Sequence, residues 1–344
     1  MARVALDAMG GDFAPAAPVA GALLALAELD LQHRVQLVGR ESVIREQLRA
    51  HLAGEYQSAA PYADRIDIID APEVIEMSEK PSAALRGKPH SSMHVGLKMQ
   101  VDGRSDAFVS AGNTGAQMAI SLVLLRKHAG LERPAIATIF PTARQPIVVL
   151  DSGANVDCSA QELVQFARLG CAYAESVLRR ANPVVGLLNI GEEPEKGNLA
   201  TKEAHQLLIA SGLNFQGNVE GRDIPAGASD RGPFDVVVCD GFVGNVILKF
   251  YEGIAPMIMG LLRDHAGLDK AQLQRALGHL DYSNYGGAPL LGVCGISIIS
   301  HGKSNARAVM QGIRTAVEFH SGGVNAAIEA QLGALAARRQ ATSA

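Results

Sequence analysis

Six short apolar segments of this chain each lead directly into a loop that contains Gly, Asn or Asp. They read VALDAMGGD (4–12), AFVSAGNTG (107–115), IVVLDSGANVD (147–157), VVGLLNIGEEPEKGN (184–198), FDVVVCDGFVGN (234–245) and GISIISHGKSN (295–305). In open α/β sheets, ligands bind outside the carboxyl ends of the strands. Gly allows main-chain N–H groups to come close to an anion. The pattern therefore predicts a polar, backbone-rich cleft for a phosphate-bearing ligand.

The composition suits a tightly packed α/β sandwich. Of the 344 residues, 48% are hydrophobic, only 4% are aromatic and none is Trp. This length allows one or two domains with a large core. The net charge of −4 does not predict generic affinity for nucleic acid.

The cysteines and the N-terminal segment indicate a reducing compartment. Cys158, Cys171, Cys239 and Cys294 show no CxxC or metal-ligand spacing, and three of them lie in apolar stretches typical of the core. We find no signal-peptide pattern and expect no apolar run long enough to span a bilayer. The expected location is the cytoplasm, with any membrane contact peripheral.

Alternating strands and amphipathic helices over residues 1–250 predict a mostly parallel sheet covered by helices. The segments 135–140 and 147–150 could form a hairpin. A final strand is predicted at 295–299, followed by a helix with Ser304 as its N-cap. We interpret residues 1–344 as a single α/β/α catalytic domain.

The alternation is interrupted by a helical excursion at about 245–285. Helices are predicted over 246–253, 256–264 and 268–280, with Gly253 and Pro256 breaking the first two apart. An apolar stripe on this excursion consists of Phe250, Ile254, Met257, Ile258, Leu261 and Leu262. Three roles remain open for the stripe: a dimer core, a cover for an acyl chain, and an interfacial membrane helix.

Two early loops place glycine beside a polar side chain directly after a strand. In Gly10-Gly11-Asp12, the aspartate could orient a donor or cap the next helix. In the 110–115 loop, Asn113 or Thr114 could contact an anion at the helix N-terminus or simply cap that helix. Neither loop has the GxGxxG pattern of a dinucleotide site.

Later loops offer further candidates, each with a structural alternative. Lys196 could neutralise a phosphate or an oxyanion, or it could pair with Glu192 or Glu193. Asp240 and Asn245 could contact a ligand, and Asn245 could also cap a helix. His301 could protonate a leaving group or serve as a structural hydrogen-bonding residue. The two acids of the 151–157 loop could suggest a metal, but their setting is typical of turn chemistry.

Signatures of covalent and metal catalysis are missing from the sequence. There is no GxSxG nucleophile elbow and no HExxH helix. We therefore expect chemistry that needs neither a covalent enzyme intermediate nor a metal, and we assign no cofactor.

Taken together, the motifs resemble a known family. The opening VALDAMGGDFAP (4–15) is followed in order by SAGNTGA (110–116), LDSGANVDC (150–158), LLNIGEEPEKGN (187–198), VCDGFVGNV (238–246), YGGAPLLG (285–292) and SHG (300–302). This set, spread over nearly the whole chain, is similar to the bacterial phosphate acyltransferases of the PlsX type. One departure is the loop RGKPHSSM (86–93), where Pro89 and His90 replace the polar or basic residues usual in the family.

The resemblance implies a reaction and a fold. Long-chain acyl-[acyl-carrier-protein] and inorganic phosphate would give acyl phosphate and free carrier protein, for use by a glycerol-3-phosphate acyltransferase in phospholipid synthesis. The implied fold is a homodimeric three-layer α/β/α sandwich with a mostly parallel sheet, related to phosphotransacetylases and isocitrate-type dehydrogenases.

The resemblance also implies that Lys196 and Asn245 are the essential polar pair. On this basis, Lys196 and loop N–H groups are predicted to hold phosphate, and Asn245 to polarise the thioester carbonyl. The remaining predicted phosphate- or substrate-binding residues are Asp7, Gly10, Gly11, Asp12, Gly112, Asn113, Thr114, Asn155, Asn198, Asp240 and His301. The alternatives are a nicotinamide-dependent dehydrogenase and a non-enzymatic scaffold for carrier protein or membrane.

Overall fold

The structure is a computed structural model that describes residues 1–266, 269, 272 and 286–342. The chain divides into two compact units, which are described separately below. Unit 1 consists of Met1–His128 and Ser283–Gly323, and unit 2 of Ala129–Tyr282 and Val324–Ala344. The assignment of one catalytic domain stays a prediction.

The strands alternate with helices along most of the chain, as the sequence predicts. In chain order they are β1 Arg3–Asp7, β2 Arg34–Gly39, β3 Ile66–Asp70, β4 Ala107–Ser110, β5 Ala135–Ile136, β6 Thr138–Phe140, β7 Ile147–Leu150, β8 Val184–Asn189, β9 Asn214–Glu220, β10 Ala228–Ser229, β11 Gly232–Pro233, β12 Val236–Val238, β13 Ala288–Leu291 and β14 Ser297–Ile299.

The α-helices of the described residues include one much longer than the sequence suggests. In chain order they are α1 Ala16–Glu28, α2 Glu41–Ala53, α3 Pro81–Gly87, α4 Ser92–Val101, α5 Thr114–Leu124, α6 Ala160–Ser176, α7 Leu199–Ala210, α8 Gly241–Ala266, α9 Ala306–Gly322 and α10 Val324–Thr342.

Unit 1 is built on a mostly parallel sheet. Its strands lie in the order β3-β2-β1-β4-β14-β13, and only β13 runs antiparallel to its neighbour β14. The central strands are mostly apolar and buried, β4 along its whole length and β1 from Val4 to Asp7, with Val4 and Phe108 at 0% exposure. Helices cover such a sheet, and here α1 packs against α9 while α4 packs against α5. In consequence, the loops after β1, β4 and β14 emerge side by side at the carboxyl edge.

Unit 2 has a second sheet of the same kind. Its order is β6-β7-β12-β8-β9, with β6 antiparallel to β7 and the other pairs parallel. The β6–β7 pair confirms the predicted hairpin over residues 138–140, whereas Ala135–Ile136 forms the separate strand β5. Val238 of β12 lies opposite Leu150 of β7 on one side and Leu187 of β8 on the other. Since neighbouring strands are about 5 Å apart, the loops that follow these three strands start within about 10 Å of one another.

The helix α8 corrects the predicted break of the excursion. It continues through Gly253 and Pro256 as one helix, so the prediction of separate helices over 246–253 and 256–264 is wrong. Proline removes one intrahelical hydrogen bond. The first half of α8 is nevertheless held in place, because it packs on the core of unit 2. Its side chains pack onto the buried cluster that contains Phe140 and Val237; they are Val243, Ile247, Leu248 and Tyr251. The helix predicted over 268–280 lies almost wholly outside the described residues.

The opposite side of α8 is apolar and exposed. Phe242, Val246, Phe250, Met257 and Leu261 are each 51–67% exposed. At about 100° per residue they fall within an arc of about 100°; we call these five residues the α8 exposed face. By length and composition alone, Gly241–His265 could cross a bilayer, so the prediction that no apolar run reaches that length is wrong. A single such helix is weak evidence for a membrane span.

The N-cap of α9 differs by one residue from the prediction. Asn305, rather than Ser304, accepts the N–H of Ala308 on its side chain at 2.9 Å. Asn and Ser cap helices about equally well, so the residue type at either position could not decide between them.

Candidate functional site

Three loops of unit 2 form one polar edge, which we call the unit 2 rim. It consists of residues 151–158, 189–198 and 239–245, which follow β7, β8 and β12. Five predicted site residues lie on this rim: Asn155, Lys196, Asn198 and Asp240 in its loops, and Asn245 in the first turns of α8. The parallel register of the three strands brings these residues to the same edge of the sheet.

The first loop is organised by the buried carboxylate of Asp151, which is 0% exposed. Its Oδ1 accepts the N–H groups of Ile136, Gly153 and Ala154 at 3.0–3.2 Å. Its Oδ2 accepts the backbone N–H and the side-chain amide of Asn155 at 2.6 and 2.9 Å. Burial raises the pKa of the Asp151 carboxyl, and these hydrogen bonds oppose the shift. Asn155 is thus a loop-holding residue whose amide also reaches the carbonyl of Pro134.

The start of α8 rests on this first loop. The N–H of Gly241 donates to the carbonyl of Asn155 at 2.7 Å, and Asp240 caps the helix by accepting the N–H of Val243 at 2.8 Å. Asn245 lies inside the helix, one turn beyond its start, so it does not cap it. Its side chain is exposed, and its amide makes no hydrogen bond within the described residues. A free amide donor is therefore available at this edge.

The second loop carries Lys196 and is held from three sides. The amide of Asn189 donates to the carbonyl of Lys196 at 3.0 Å. The buried amide of Asn218 donates to the carbonyl of Glu193 at 2.8 Å. Arg231 donates to the carbonyl of Glu192 at 3.1 Å. These bonds fix the backbone of the loop while the lysine side chain stays exposed.

Lys196 makes no ion pair within the part of the chain that the structure describes. Its neighbours Glu192, Glu193 and Glu195 share the loop, but none comes within salt-bridge distance of its ammonium group. The alternative prediction, that Lys196 pairs with Glu192 or Glu193, is therefore not seen. A cation without a partner is free to bind an anionic ligand.

The two helices that start at the unit 2 rim differ in charge. Asn198, a neutral residue, caps α7 by accepting the N–H of Thr201 at 2.9 Å, and the first turn of α7 has no acidic residue. The start of α8, in contrast, lies beside the carboxylates of Asp151 and Asp240. Because a helix N-terminus attracts anions unless a carboxylate already occupies it, the start of α7 next to Lys196 is the better anion site.

Two cysteines adjoin the unit 2 rim. Cys158 donates to the carbonyl of Asn155 at 3.5 Å, and Cys239 to that of Asp151 at 3.6 Å. Burial raises the pKa of the Cys158 thiol to about 12 and that of Cys239 well above its ordinary value. Thiols with such pKa values are poor nucleophiles at neutral pH.

Unit 1 has a polar edge of its own, the unit 1 rim, formed by residues 8–12, 111–114 and 300–305 after β1, β4 and β14. Asp7 is 2% exposed and joins the first two loops. It accepts the hydroxyl of Ser110 at 2.7 Å and the N–H of Met9 at 3.0 Å, and Ser110 accepts the N–H of Gly112 at 2.9 Å. Burial raises the pKa of the Asp7 carboxyl. The carboxylate of Asp7 thus holds the rim together from inside.

The glycines of the unit 1 rim allow this close packing. A Cβ atom on Gly10 would overlap the carboxylate of Asp7 and lie 2.8 Å from the N–H nitrogen of Gly112. Gly11 has a φ of +101°, which L side chains rarely adopt. The N–H of the exposed Asp12 donates to the carbonyl of Gly302 at 2.7 Å. Asp12 does not cap α1, whose N-cap position is occupied by Pro15.

Asn113 uses its side chain within the protein. Its Oδ1 caps α5 by accepting the N–H of Ala116 at 3.0 Å, and its amide donates to the carbonyls of Met77 and Glu79 at 3.0 and 2.9 Å. The predicted alternative of a helix cap is therefore present, and Thr114 follows as an exposed first helical residue. In the third loop, His301 is exposed and accepts the N–H of Lys303 on Nδ1 at 3.1 Å.

Several residues that shape the two rims were not predicted. They are Asp151, Asn189, Asn218 and Arg231 in unit 2, and Ser110 in unit 1. Asp151 and Ser110 end or follow predicted strands, so the sequence carried a signal for them. Asn218 and Arg231 come from β9 and the β10–β11 turn, and only the three-dimensional fold brings them to the Lys196 loop.

Comparison with known proteins gives consistent relatives over almost the whole chain. The model of a family described as fatty acid synthesis protein matches residues 2–327. A protein of Desulforamulus reducens named phosphate acyltransferase is 46% identical over 96% of this chain and 98% of the relative. One of Heliobacterium modesticaldum with the same name is 48% identical over 91% of this chain and 92% of the relative.

A solved structure shares the fold. The EutD phosphotransacetylase from Staphylococcus aureus superposes with a TM-score of 0.59 at 15% identity, covering 95% of this chain and 94% of that one. At this identity the likeness concerns the fold alone. It confirms the predicted α/β fold of the phosphotransacetylase type with mostly parallel sheets.

Proposed function

The chain belongs to the phosphate acyltransferase family of fatty acid synthesis proteins and is an acyltransferase, and we propose that it transfers a long-chain acyl group from acyl carrier protein to inorganic phosphate. The products are acyl phosphate and free carrier protein. We further propose that a glycerol-3-phosphate acyltransferase consumes the acyl phosphate in phospholipid synthesis.

One observation carries this proposal. The unit 2 rim presents an exposed lysine without an ion pair in the described structure, Lys196, beside the neutral N-terminus of α7. It also presents Asn245, whose amide makes no hydrogen bond within the described residues, in the first turns of α8, which follows the adjacent strand β12. A phosphate ion and a thioester carbonyl need these two groups: a cationic anion site and a neutral hydrogen-bond donor.

In the proposed mechanism, an oxygen atom of phosphate attacks the thioester carbonyl carbon. The C–O bond forms, the C–S bond breaks, and its electron pair leaves with the sulfur as the carrier's thiolate, which takes up a proton from water. Phosphate is already a competent nucleophile at neutral pH and a thioester is already activated, so the protein has to supply orientation and oxyanion stabilisation. Orientation contributes up to about 7–11 kcal/mol, and one oxyanion donor about 2.7–4 kcal/mol.

The roles of the two helix starts follow from their charge. Lys196 and the N–H groups at the start of α7 bind phosphate, because no carboxylate lies in that first turn. Asn245 donates to the carbonyl oxygen, which becomes an oxyanion in the tetrahedral intermediate. Asp240 and Asn155 support α8 and its loop, and Asn198 supports α7.

Transfer is direct, without an acyl-cysteine intermediate. The two thiols next to the unit 2 rim donate their protons to backbone carbonyls and are held as thiols by burial, which raises the pKa of both. Phosphate is therefore the nucleophile that attacks the substrate.

For the unit 1 rim we propose binding of substrate phosphate groups through backbone N–H groups. Gly10, Gly11 and Gly112 have no side chain, which lets the loops of this rim pack closely, and the N–H of Gly112 already donates to Ser110. Asp7 and Asn113 stabilise the loops of this rim through their hydrogen bonds. Asp12, Thr114 and His301 are exposed on the same loops.

The α8 exposed face supports a further part of the proposal. An apolar arc of this length on a helix is suited to contact with a second copy of the chain or with a lipid surface, and of the three predicted roles we propose these two. We propose a cytoplasmic homodimer with peripheral membrane contact, in which acyl phosphate is released near the bilayer.

The proposed reaction is tested by phosphate-dependent release of thiol from an acyl carrier thioester. Free thiol is measured with and without phosphate, and acyl phosphate is trapped with hydroxylamine as the hydroxamate. Thiol release that needs phosphate and is matched by hydroxamate supports the proposal. Binding of the carrier without thiol release would instead indicate a scaffold, and thiol release without phosphate would indicate a hydrolase.

A further inference from the structure

The carboxylate of Asp151 lies at the junction of the loop and the helix that hold Asn245. Its backbone belongs to the β7–β12 ladder, because its N–H donates to the carbonyl of Cys239 at 3.0 Å. Its side chain turns back and collects five N–H donors from residues 136 and 153–155. One fully buried side chain thereby fixes both the end of the strand and the loop that follows it.

The same loop meets the first turn and a half of α8 at three points. Asn155 accepts the N–H of Gly241, and the carbonyl of Asp151 lies so close to Gly244 that a Cβ atom there would overlap it. A Cβ atom on Gly153 would lie 3.5 Å from the Cβ and Cγ atoms of Asn245. The start of α8, which carries Asn245, therefore rests on a loop that Asp151 shapes, and this loop passes beside the Asn245 side chain.

The chemistry of the junction requires a carboxylate. An ionised aspartate only accepts hydrogen bonds, and the two oxygens of Asp151 accept five N–H groups at 2.6–3.2 Å. An asparagine of the same shape would direct two N–H donors at groups that are themselves donors. Substitution of Asp151 by Asn would therefore turn at least one of these hydrogen bonds into a donor–donor contact and displace the loop.

We propose that Asp151 is a positioning residue for the acyl transfer, which acts on the reaction through Asn245 without touching the substrate. This inference depends on the proposed function, because it assigns Asp151 to the oxyanion side of that reaction. Phosphate binding at Lys196 is expected to be independent of it, since the Lys196 loop is held by Asn189, Asn218 and Arg231 instead.

The experiment is a double-mutant cycle with Asp151→Asn and Asn245→Ala, assayed by phosphate-dependent thiol release. We expect Asp151→Asn to lower kcat by about 10²-fold, as for loss of one oxyanion donor, with the KM for phosphate changed less than about threefold. In the Asn245→Ala background, the same substitution should lower kcat no further, because its effect passes through Asn245. A residue that only stabilised the fold would reduce kcat equally in both backgrounds.

Asp235→Asn is the matched control. Asp235 also accepts a backbone N–H, from Val184 at 2.9 Å, but it lies before β12 rather than after it. The Asp235→Asn substitution should lower the Tm of the protein without lowering kcat. If Asp151→Asn does not fold, Asp151→Glu keeps the acceptor charge but displaces the loop by one methylene, and the same non-additive loss of kcat is expected.

Two outcomes would overturn the inference while leaving the proposed function intact: an Asp151→Asn enzyme with wild-type kcat, or a loss that adds fully to that of Asn245→Ala. If the wild-type protein shows no phosphate-dependent thiol release, the proposed function itself is wrong. The wild-type assay alone shows this, so the two kinds of failure can be told apart.

Discussion

The side-chain amide of Asn218 donates a hydrogen bond of 2.8 Å to the carbonyl oxygen of Glu193, and so ties β9 to the loop of Lys196. Asn218 is 0% exposed, and its Oδ1 accepts from Nδ1 of the buried His205 at 2.9 Å. Since the carbonyl of Glu193 also accepts the N–H of Lys196 at 3.1 Å, a chain of hydrogen bonds leads from α7 to the lysine.

Asn218→Leu should therefore loosen the Lys196 loop. Removing one partner of a buried hydrogen bond costs about 1–3 kcal/mol, and we expect a rise in the KM for phosphate of about tenfold. Stability is measured by urea denaturation and the KM by thiol release. Asn214→Ala is the control, because Asn214 is exposed at the other end of β9 and its side-chain amide donates to the carbonyl of Asn182, far from the Lys196 loop. An unchanged KM in Asn218→Leu would show that this bond does not position Lys196.

Gly244→Ala should destabilise unit 2 and reduce activity. Its methyl group would overlap the backbone carbonyl of Asp151, and overpacking of this kind costs about 1–3 kcal/mol. Gly253→Ala in the same helix is the matched control, because a Cβ atom there meets nothing within 4 Å. That control should gain up to about 1 kcal/mol from helix propensity. Equal stability of the two variants would contradict the close contact between α8 and the Asp151 loop.

The cysteines at the unit 2 rim should react slowly and be dispensable for catalysis. With a pKa of about 12 for the Cys158 thiol, only about one part in 10⁴ is thiolate at pH 8. The rate of alkylation by iodoacetamide should rise about tenfold per pH unit above pH 8, whereas the exposed Cys294 should be alkylated readily. Labelling is followed by mass spectrometry of the folded protein.

Cys158→Ala should likewise keep kcat within about threefold of wild type. Loss of turnover in this variant with an unchanged Tm, or rapid labelling of Cys158 that substrate prevents, would contradict direct transfer.

The fold was largely predictable, because its signals are local. Apolar runs that end in Gly, Asn or Asp predicted β1, β4, β7, β8, β12 and β14, and the two sheets place these strands as neighbours. In contrast, β9 was not predicted. Its sequence NFQGNVE contains Asn, Gln and Gly, which are not typical of strands, and its burial comes from tertiary contacts. The continuity of α8 through Pro256 was missed for a similar reason, since the anchoring of its first half on the unit 2 core is not visible in the sequence.

The sequence named most residues of the candidate site, whose part in catalysis stays a prediction, but it did not give their structural roles. Asn113 was a candidate ligand, but its side chain joins α5 to the 76–79 segment instead. Asp151 was interpreted as turn chemistry, and only the fold shows that five N–H donors converge on it. Lys196 and Asn245 lie 49 positions apart in the sequence; the register of β8 and β12 is what places their loops at one edge.

The α8 exposed face should control association with lipid or with a second chain. Leu261 is 51% exposed, and Leu261→Glu places a charge in this apolar arc. Flotation with anionic liposomes should fall at least fivefold relative to wild type if the face contacts lipid. Light scattering of the same variant reports whether the dimer persists. If the variant floats like wild type and stays dimeric, Leu261 takes part neither in lipid contact nor in the dimer interface.

The central claim, that the unit 2 rim binds phosphate at Lys196 for attack on an acyl thioester, is tested most directly by phosphate-dependent thiol release with Lys196→Ala. The account predicts a folded protein whose kcat/KM for acyl phosphate formation is lower by at least about 10²-fold. Lys202→Ala, which removes an exposed lysine of α7 outside the Lys196 loop, should remain close to wild type. Near-normal turnover by folded Lys196→Ala would contradict the account.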